Sequence, residues 1–403
     1  MYKPVLSIDV SKSKSYAATF LAYGEPYQKP FAFNHSPQGT SLLINRLNEL
    51  QSKTGIKPDV VLEATGNYSK PISSFFENAG FNVFILNPLQ THLQKKKAVR
   101  KVKTDPIDAN RIAQVYYLNS PMVNFPLSEL ITDLRNLCRQ YDGFNTMYTE
   151  AQIRLRCTLD LTFPNYDTIF NHVCCKSSLN LISAYPSPSS ILSADKEHLV
   201  DIIKSSARGH SLKWAQEKVE KLLFAARESL PSNEAQQSNT RVLKSYIKTL
   251  VTHQNILADI RAQIVEQASL SPAYFLLRSI PGVGELTAAT IIGEIGDIDK
   301  FPTAKQLVAF SGLDPSVFES GKFKSTNNKI TKRGSNYLRK ALYQATIAGI
   351  ANRKDGPCNT LLYEFYSKKI AEGKPNRVAI IATCNKLLRI IYGIWHNQQP
   401  FIY

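Results

Sequence analysis

DVVLEATGNYSKPISSFFENAGFNVFIL, residues 59–86, decides the fold of the first third of the chain. Asp59-Val60-Val61-Leu62-Glu63 is a β-branched, apolar run that suits a strand, and it ends in Ala64-Thr65-Gly66-Asn67, a turn composition. Ser69 to Ala79 has helical spacing and stops at Gly80; Phe81 to Leu86 is a further strand, stopped by Asn87-Pro88. Upstream, Val5 to Val10, Ser15 to Tyr23 and Lys29 to Asn34 read as strands, and Ser41 to Thr54 as a helix. Downstream, a basic loop leads into a helix opened by Thr104 and Asp105, with Pro106 in its first turn. Strands first, then alternating β and α, predict a mixed sheet flanked by helices.

The remainder is predicted to be mainly α. From about Leu127 to Ser269 strand signals are few, and Tyr185 to Ser193, rich in Pro and Ser, reads as a loop. Leu243, Ile247, Leu250, Leu257, Ile260 and Ile264 form an apolar helical seam, which suits either a coiled coil or one helix of a bundle. A third region begins near Tyr274 and ends in an apolar helix from Arg377 to His396. The expected domains are 1–125 (α/β, catalytic), 126–270 (helical or coiled-coil) and 271–403 (mainly helical).

Lys and Arg number 49 against 32 Asp and Glu, a net charge of +17 and a pI near 9.5. Such a balance calls for a polyanionic partner, of which nucleic acid is the usual one and an anionic membrane the rival. No apolar run is read as long enough to cross a membrane, and MYKPVLSIDV lacks a signal-peptide pattern, so a soluble, intracellular protein is expected. The six cysteines form no CxxC pair and are read as reduced thiols, with neither disulfide nor structural zinc.

Four acids stand out. Asp9 lies in the apolar run Ile8-Asp9-Val10, where a carboxylate is costly to bury unless paired or metal-bound. Glu63 closes a second apolar strand, and Asp105 and Asp108 lie three apart at a helix start, on one face. Taken singly, Asp9 suits a turn, Glu63 a pair with lysine, and Asp105 a favourable charge at a helix N-terminus. Taken together they resemble the ribonuclease-H-like arrangement, in which carboxylates on rigid elements hold Mg²⁺ through hard oxygen ligands.

The resemblance extends along most of the chain. IDVSK (8–12), LEATGNY (62–68) and KTDPIDANRIA (103–113), with LVAFSGLDP (307–315), Ser320-Gly321 and ITKRGSNYLRKAL (330–342), resemble the DEDD transposases of bacterial insertion sequences. That family implies a RuvC-like first domain whose four acids correspond to Asp9, Glu63, Asp105 and Asp108. It implies Mg²⁺ or Mn²⁺ as cofactor and a serine nucleophile in a second, transposase-specific domain. It also implies a guide RNA, encoded by the element, that pairs with donor and target DNA.

The cations fit this reading. Lys95, Lys96, Lys97, Arg100, Lys101 and Lys103 crowd the stretch before Asp105, either as a solvated loop or as a phosphate-binding one. Ile280-Pro281-Gly282-Val283-Gly284 resembles a helix-hairpin-helix whose Gly282 and Gly284 bring backbone N–H groups to DNA phosphate; a plain corner of the core is the alternative. Ser320 is the serine whose context best matches the family, with Ser311 and Ser316 as alternatives. Lys322, Lys324, Lys332, Arg333 and Arg339 lie near it in sequence, where cations would steady charge developing at phosphorus. The first domain then has metal ligands and no obvious nucleophile, the second a serine and no acidic cluster.

The expected activity is an insertion-sequence transposase working through a phosphoserine link, as a dimer or tetramer, in the bacterial cytoplasm at the nucleoid. A stand-alone Mg²⁺-dependent junction-resolving endonuclease would need no Ser320, and a non-catalytic binding protein would have no use for four convergent acids.

Overall fold

Val5–Asp9 (β1) is buried along its length until Asp9, and Asp59–Glu63 (β5) until Glu63. They are the central strands of a mixed sheet in a computed structural model that describes residues 3–86, 88, 91, 104–119, 127–207, 209–231, 236–316, 319–320, 323–324 and 329–402. The chain forms two compact units, Met1–Pro126 and Leu127–Tyr403.

In the first unit the sheet order is β3-β2-β1-β5-β6, with β2 at Lys14–Ala22, β3 at Glu25–Pro26 and β6 at Val83–Leu86. A further strand, β4 (Phe31–Asn34), also pairs with β2. β1 is antiparallel to β2 and parallel to β5, and β5 is parallel to β6. Strand side chains alternate in direction, so each face acquires its own core. Leu6, Ile8, Val60 and Leu62 face helix Pro37–Thr54 through Leu43 and Leu47, and helix Ser69–Asn78 through Ile72 and Phe76. Val5, Val61, Phe84 and Leu86 face Ala109, Ile112 and Ala113 of helix Asp105–Asn119. Helix Pro37–Thr54 starts earlier than its apolar spacing indicates, because Ser36 caps the Gly39 N–H and Pro37 suits the first turn. The hairpin strand β3 escapes sequence reading because it is two residues long and contains a proline.

Two long helices, Glu129–Thr162 and Gln236–Ser269, form an antiparallel pair through the second unit. At one end Leu155 and Leu159 meet Leu243, Ile247 and Leu250; at the other Leu134 and Cys138 meet Ile264 and Ala268. The seam is therefore covered from within the chain, by helix Glu129–Thr162. Where a loop was expected, Pro188–Leu192 is a short helix, because Ser187 and Ser190 cap each other reciprocally.

The expectation about membrane-length runs also needs correction: helix Asn376–Asn397 is long and apolar enough to cross a membrane by length and composition. One of its faces lies in the core, through Ala379, Ile380, Leu387, Leu388 and Ile391. Cys138 and Cys384 are buried in the same core, and burial pushes each thiol up to about 11.

Candidate active-site residues and their surroundings

Asp9 and Glu63 end neighbouring strands. Ile8 is opposite Leu62 in the parallel register, so the next residue of each strand stands at the same sheet edge. By alternation Asp9 shares a face with Val5 and Ser7, and Glu63 with Asp59 and Val61. That face is covered by helix Asp105–Asn119, and Ser7 Oγ donates to Ala109 O at 2.8 Å.

Hydrogen bonds at the far end fix the helix's direction. Tyr116 Oη donates to Asp59 Oδ2 at 2.6 Å, and Tyr117 Oη to Lys3 O at 2.8 Å. Burial, then the bonded and nearby Asp59, push the Tyr116 phenol far above its usual range, so it remains a donor. The helix thus runs antiparallel to β1 and β5. Its first turn, with Asp105 and Asp108, is directed toward the strand ends that carry Asp9 and Glu63.

Asp105 is exposed and Asp108 is buried. Asp108 Oδ1 is paired with Arg111 Nη1 at 2.9 Å. Thr91, also buried, donates its hydroxyl toward Glu63 Oε2 at 2.9 Å and Pro88 O at 3.0 Å. Among the described residues no three His, Cys, Asp or Glu side chains gather closely enough to hold an ion. The donor chemistry is nevertheless that of a hard divalent cation: all four residues bear carboxylates, two at neighbouring strand ends and two in the first turn of the helix that covers that face. Arg111 and Thr91 were not singled out by sequence; Arg111 was findable from its i,i+3 spacing to Asp108, Thr91 from nothing local.

In the second unit Ser320 lies on a β-arm. Asp314 and Thr331 pair at its foot, through Thr331 N to Asp314 O (2.9 Å) and Thr331 Oγ1 to Asp314 Oδ1 (2.6 Å). Pro315 and Ile330 form an antiparallel bridge, and Ser316 N donates to Lys329 O at 2.8 Å. Farther out Glu319–Ser320 (β7) pairs with Phe323–Lys324 (β8), Ser320 opposite Phe323. Of the alternatives, Ser311 is fully buried with its hydroxyl donated to Val308 O at 2.7 Å, and Ser316 Oγ is bonded to Lys329 O at 2.6 Å.

Below the arm, Gly334 crosses the backbone of residues 310–311 so closely that a Cβ there would lie 1.9 Å from Phe310 O. Lys332 adopts a left-handed φ of 54° at this crossing, its N–H bonded to Gly312 O at 3.1 Å. Lys332 and Arg333 are exposed. Arg339 is turned to the backbone, its Nη1 donating to Ser311 O and Gly334 O at 3.0 and 2.7 Å.

The glycine turn joins helix Pro272–Arg278 to helix Glu285–Ile295. Gly282 has φ 98°, and a Cβ there would lie 2.7 Å from the backbone of Gly349, which gives it a packing duty. Gly284 caps the second helix, whose first residue, Glu285, is bound by Arg261 at 2.8 Å. Lys95, Lys96, Lys97, Arg100, Lys101, Lys103 and Lys322 lie outside the described residues, and for Ser320 and Lys324 only the backbone is described.

Comparison with known proteins defines the class of enzyme. Residues 6–164 match the DEDD transposase family of IS110, and residues 274–364 match the family described as Transposase IS116/IS110/IS902. The first match begins just before Asp9 and contains all four acids; the second contains the hairpin and the β-arm. Among relatives, the chain is 22% identical over 406 residues to the pilin gene-inverting protein of Moraxella bovis, covering 100% of this chain and 98% of that protein. It is 30% identical over 161 residues to the transposase for insertion sequence element IS1111A of Coxiella burnetii, covering 40% of this chain and 43% of that one. A third relative, an insertion element IS110 protein of Streptomyces coelicolor, is 25% identical over 215 residues, covering 53% of this chain and 50% of that protein. The chain belongs to the IS110 family of insertion-sequence transposases, enzymes that cleave and rejoin DNA.

Proposed function

We propose that this transposase cleaves and rejoins DNA strands through Ser320, with Asp9, Glu63, Asp105 and Asp108 as ligands for Mg²⁺ or Mn²⁺ in a RuvC-like, RNase-H-type first domain. The observation that carries the acidic half is the antiparallel course of helix Asp105–Asn119 under β1 and β5, with Ser7 bonded to Ala109. The serine half rests on Ser320-Gly321 falling within the second family match, with Ser320 in strand β7, while Ser311 is buried. Exposed Lys332 and Arg333, with the basic segment 95–103, supply phosphate contacts for donor and target DNA.

Bound divalent metal would polarise the phosphoryl oxygens and withdraw charge from the leaving oxygen. Ser320 Oγ loses its proton and bonds to phosphorus, and the P–O bond to the departing sugar oxygen breaks as that oxygen takes up a proton. A free sugar hydroxyl of the second strand then attacks the phosphoserine, returns the proton to Ser320 and restores a phosphodiester. The phosphoserine conserves the bond, so no external energy source is needed. The family resemblance further supports an element-encoded guide RNA that pairs with both DNAs, a dimer or tetramer that holds two duplexes, and action at the nucleoid of a bacterial cytoplasm.

Denaturing gels with labelled DNA provide the test. The native chain should form a covalent adduct in Mg²⁺ or Mn²⁺ and lose it with EDTA; Ser320→Ala should bind DNA yet form none. An adduct formed by Ser320→Ala would place the nucleophile elsewhere, and cleavage without any adduct would make the enzyme a hydrolase. Asp9→Asn, Glu63→Gln, Asp105→Asn and Asp108→Asn should each abolish strand exchange while retaining DNA binding. Recombination that needs no RNA from the element would remove the guide.

A further inference from the structure

At the foot of the β-arm lies a groove of about 480 Å³ whose lining includes Pro315, Ile330 and Phe365, with Lys374, Lys386 and Arg389. The volume falls within the roughly 300–1,000 Å³ of small-molecule sites. One wall consists of the bridged pair Pro315 and Ile330, the base of the arm that bears Ser320. The opposite wall is the outward side of helix Asn376–Asn397. This explains why that helix is apolar on two sides: Leu387, Leu388 and Ile391 enter the core, whereas Val378, half exposed at 50%, and Ile381 line the groove. Among the described residues no acidic one lines it. The nearby Glu372 is held by Lys369 at 2.8 Å.

A ligand that fits must offer a flat apolar body and carry negative charge beside it. Duplex DNA cannot do so, because its base faces are stacked on one another. An unstacked base can, and its flanking phosphates bring the charge. Phe365 supplies an aromatic surface on which a base can stack, and the Lys369 ammonium lies 5.2 Å from its ring centroid.

We infer that this groove seats an unpaired nucleotide of a single-stranded nucleic acid, its base against Phe365 and its phosphates among Lys374, Lys386 and Arg389. Ser320 lies five positions beyond Pro315 in sequence, at most about 18 Å of extended chain. A strand held at the foot is thereby kept within a few nucleotides of the arm's paired strands. The inference stands on the groove and on the chain's membership of a DNA-processing family, and holds whether or not Ser320 is the nucleophile.

Fluorescence anisotropy of the full chain with labelled single-stranded DNA, single-stranded RNA and duplex DNA tests it. Phe365→Ala should weaken single-strand binding about tenfold, the scale of one lost base–aromatic stack, and change duplex binding less than about twofold. Lys386→Ala with Arg389→Ala should flatten the single-strand slope of log affinity against log salt by about 1.4. Loss on DNA, on RNA or on both supports the site and identifies its source strand. Single-strand affinity unchanged in both variants, or an equal loss on duplex, overturns it. Should Phe365→Ala not fold, photo-crosslinking of the native chain to oligonucleotides bearing 5-iodouracil decides: a crosslink to Phe365 or its neighbours Lys374 and Val378 supports the site, and crosslinks confined to other regions overturn it. Displacement by an acidic amphipathic peptide but not by oligonucleotide would assign the groove to a protein partner and likewise overturn it.

Discussion

Arg111 Nη1 lies 2.9 Å from Asp108 Oδ1, three residues along one helix, with 15% and 7% of the two side chains exposed. The guanidinium thus sits beside one of the four acids proposed as metal ligands. A cation bound by Asp108 must share that carboxylate with Arg111, and at this range two positive centres repel strongly. Arg111→Met should therefore raise Mn²⁺ affinity, roughly tenfold, while lowering the stability of the metal-free protein by about 3 kcal/mol, since a buried acid loses this ion pair. Calorimetric titration with Mn²⁺ checks the first effect and thermal unfolding in EDTA the second. Weaker Mn²⁺ binding in Arg111→Met would mean that the arginine supports the ligand set and does not compete with it.

Thr91 acts through Glu63, which receives its hydroxyl at 2.9 Å. The two residues are distant in sequence, and the bond fixes the direction of a carboxylate at an open strand end. Thr91→Val keeps the shape and removes the donor. It should lower the cleavage rate about tenfold with little change in KM for DNA, and Thr91→Ser should restore most of it. Equal losses in Thr91→Val and Thr91→Ser would reduce the role to packing.

Most of the first unit was legible in sequence because its signals are local. β5 has the limits its composition gives, Asp59 to Glu63, and the acid-bearing helix begins at Asp105, as the Thr104-Asp105-Pro106 start indicates. The site's supporting contacts were not legible, because each joins residues far apart in the chain: Ser7 with Ala109, Tyr116 with Asp59, Thr91 with Glu63. The seam from Leu243 to Ile264 illustrates the same limit. Its period specifies a helix, whereas its partner, helix Glu129–Thr162, is set by folding of the whole unit. Helix Asn376–Asn397 escaped notice as a membrane-length run because scattered Lys386 and Arg389 interrupt it in sequence while lying together on the groove side.

Two glycines separate architecture from backbone strain. A methyl group at Gly334 would lie 1.9 Å from Phe310 O, so Gly334→Ala must displace the backbone crossing that anchors the arm. It should abolish strand exchange and lower the unfolding temperature by several degrees. Gly356 is the control: a Cβ there would meet nothing within 4 Å, but its φ is 106°, so Gly356→Ala tests backbone strain alone. A Gly334→Ala protein with native stability and activity would show that the crossing is not required.

The buried pair Glu294–Arg139 makes the second unit sensitive to acid. Glu294 is 3% exposed, and Arg139 meets both its oxygens, Nε at 2.7 Å and Nη2 at 2.9 Å. Burial alone would raise the carboxyl; the bonds from Arg139 and Ser335 and the charges of Arg139 and Arg135 outweigh it and hold the group below its ordinary value. Ser335 also caps helix Asn336–Ile350, immediately after the Lys332–Gly334 crossing. The ion pair therefore ties helix Glu129–Thr162, helix Glu285–Ile295 and the return strand of the arm to one point. A carboxyl with a depressed folded-state pKa contributes stability that is fully present above its unfolded value and is lost as pH falls through the folded one. Stability of the native chain should accordingly fall below about pH 4.5 by more than that of Glu294→Gln, whose amide does not titrate. At about pH 7 Arg139→Met should cost about 3 kcal/mol, because it strands a buried charge, and the double variant Glu294→Gln with Arg139→Met should recover part of that loss. Urea unfolding at about pH 7 and about pH 4 measures all four proteins. Parallel pH dependence in the native chain and Glu294→Gln would move the acid sensitivity to other carboxylates, and a double variant no more stable than Arg139→Met would show that the arginine matters for its contact with the Tyr337 ring, 5.0 Å away, and not for its charge.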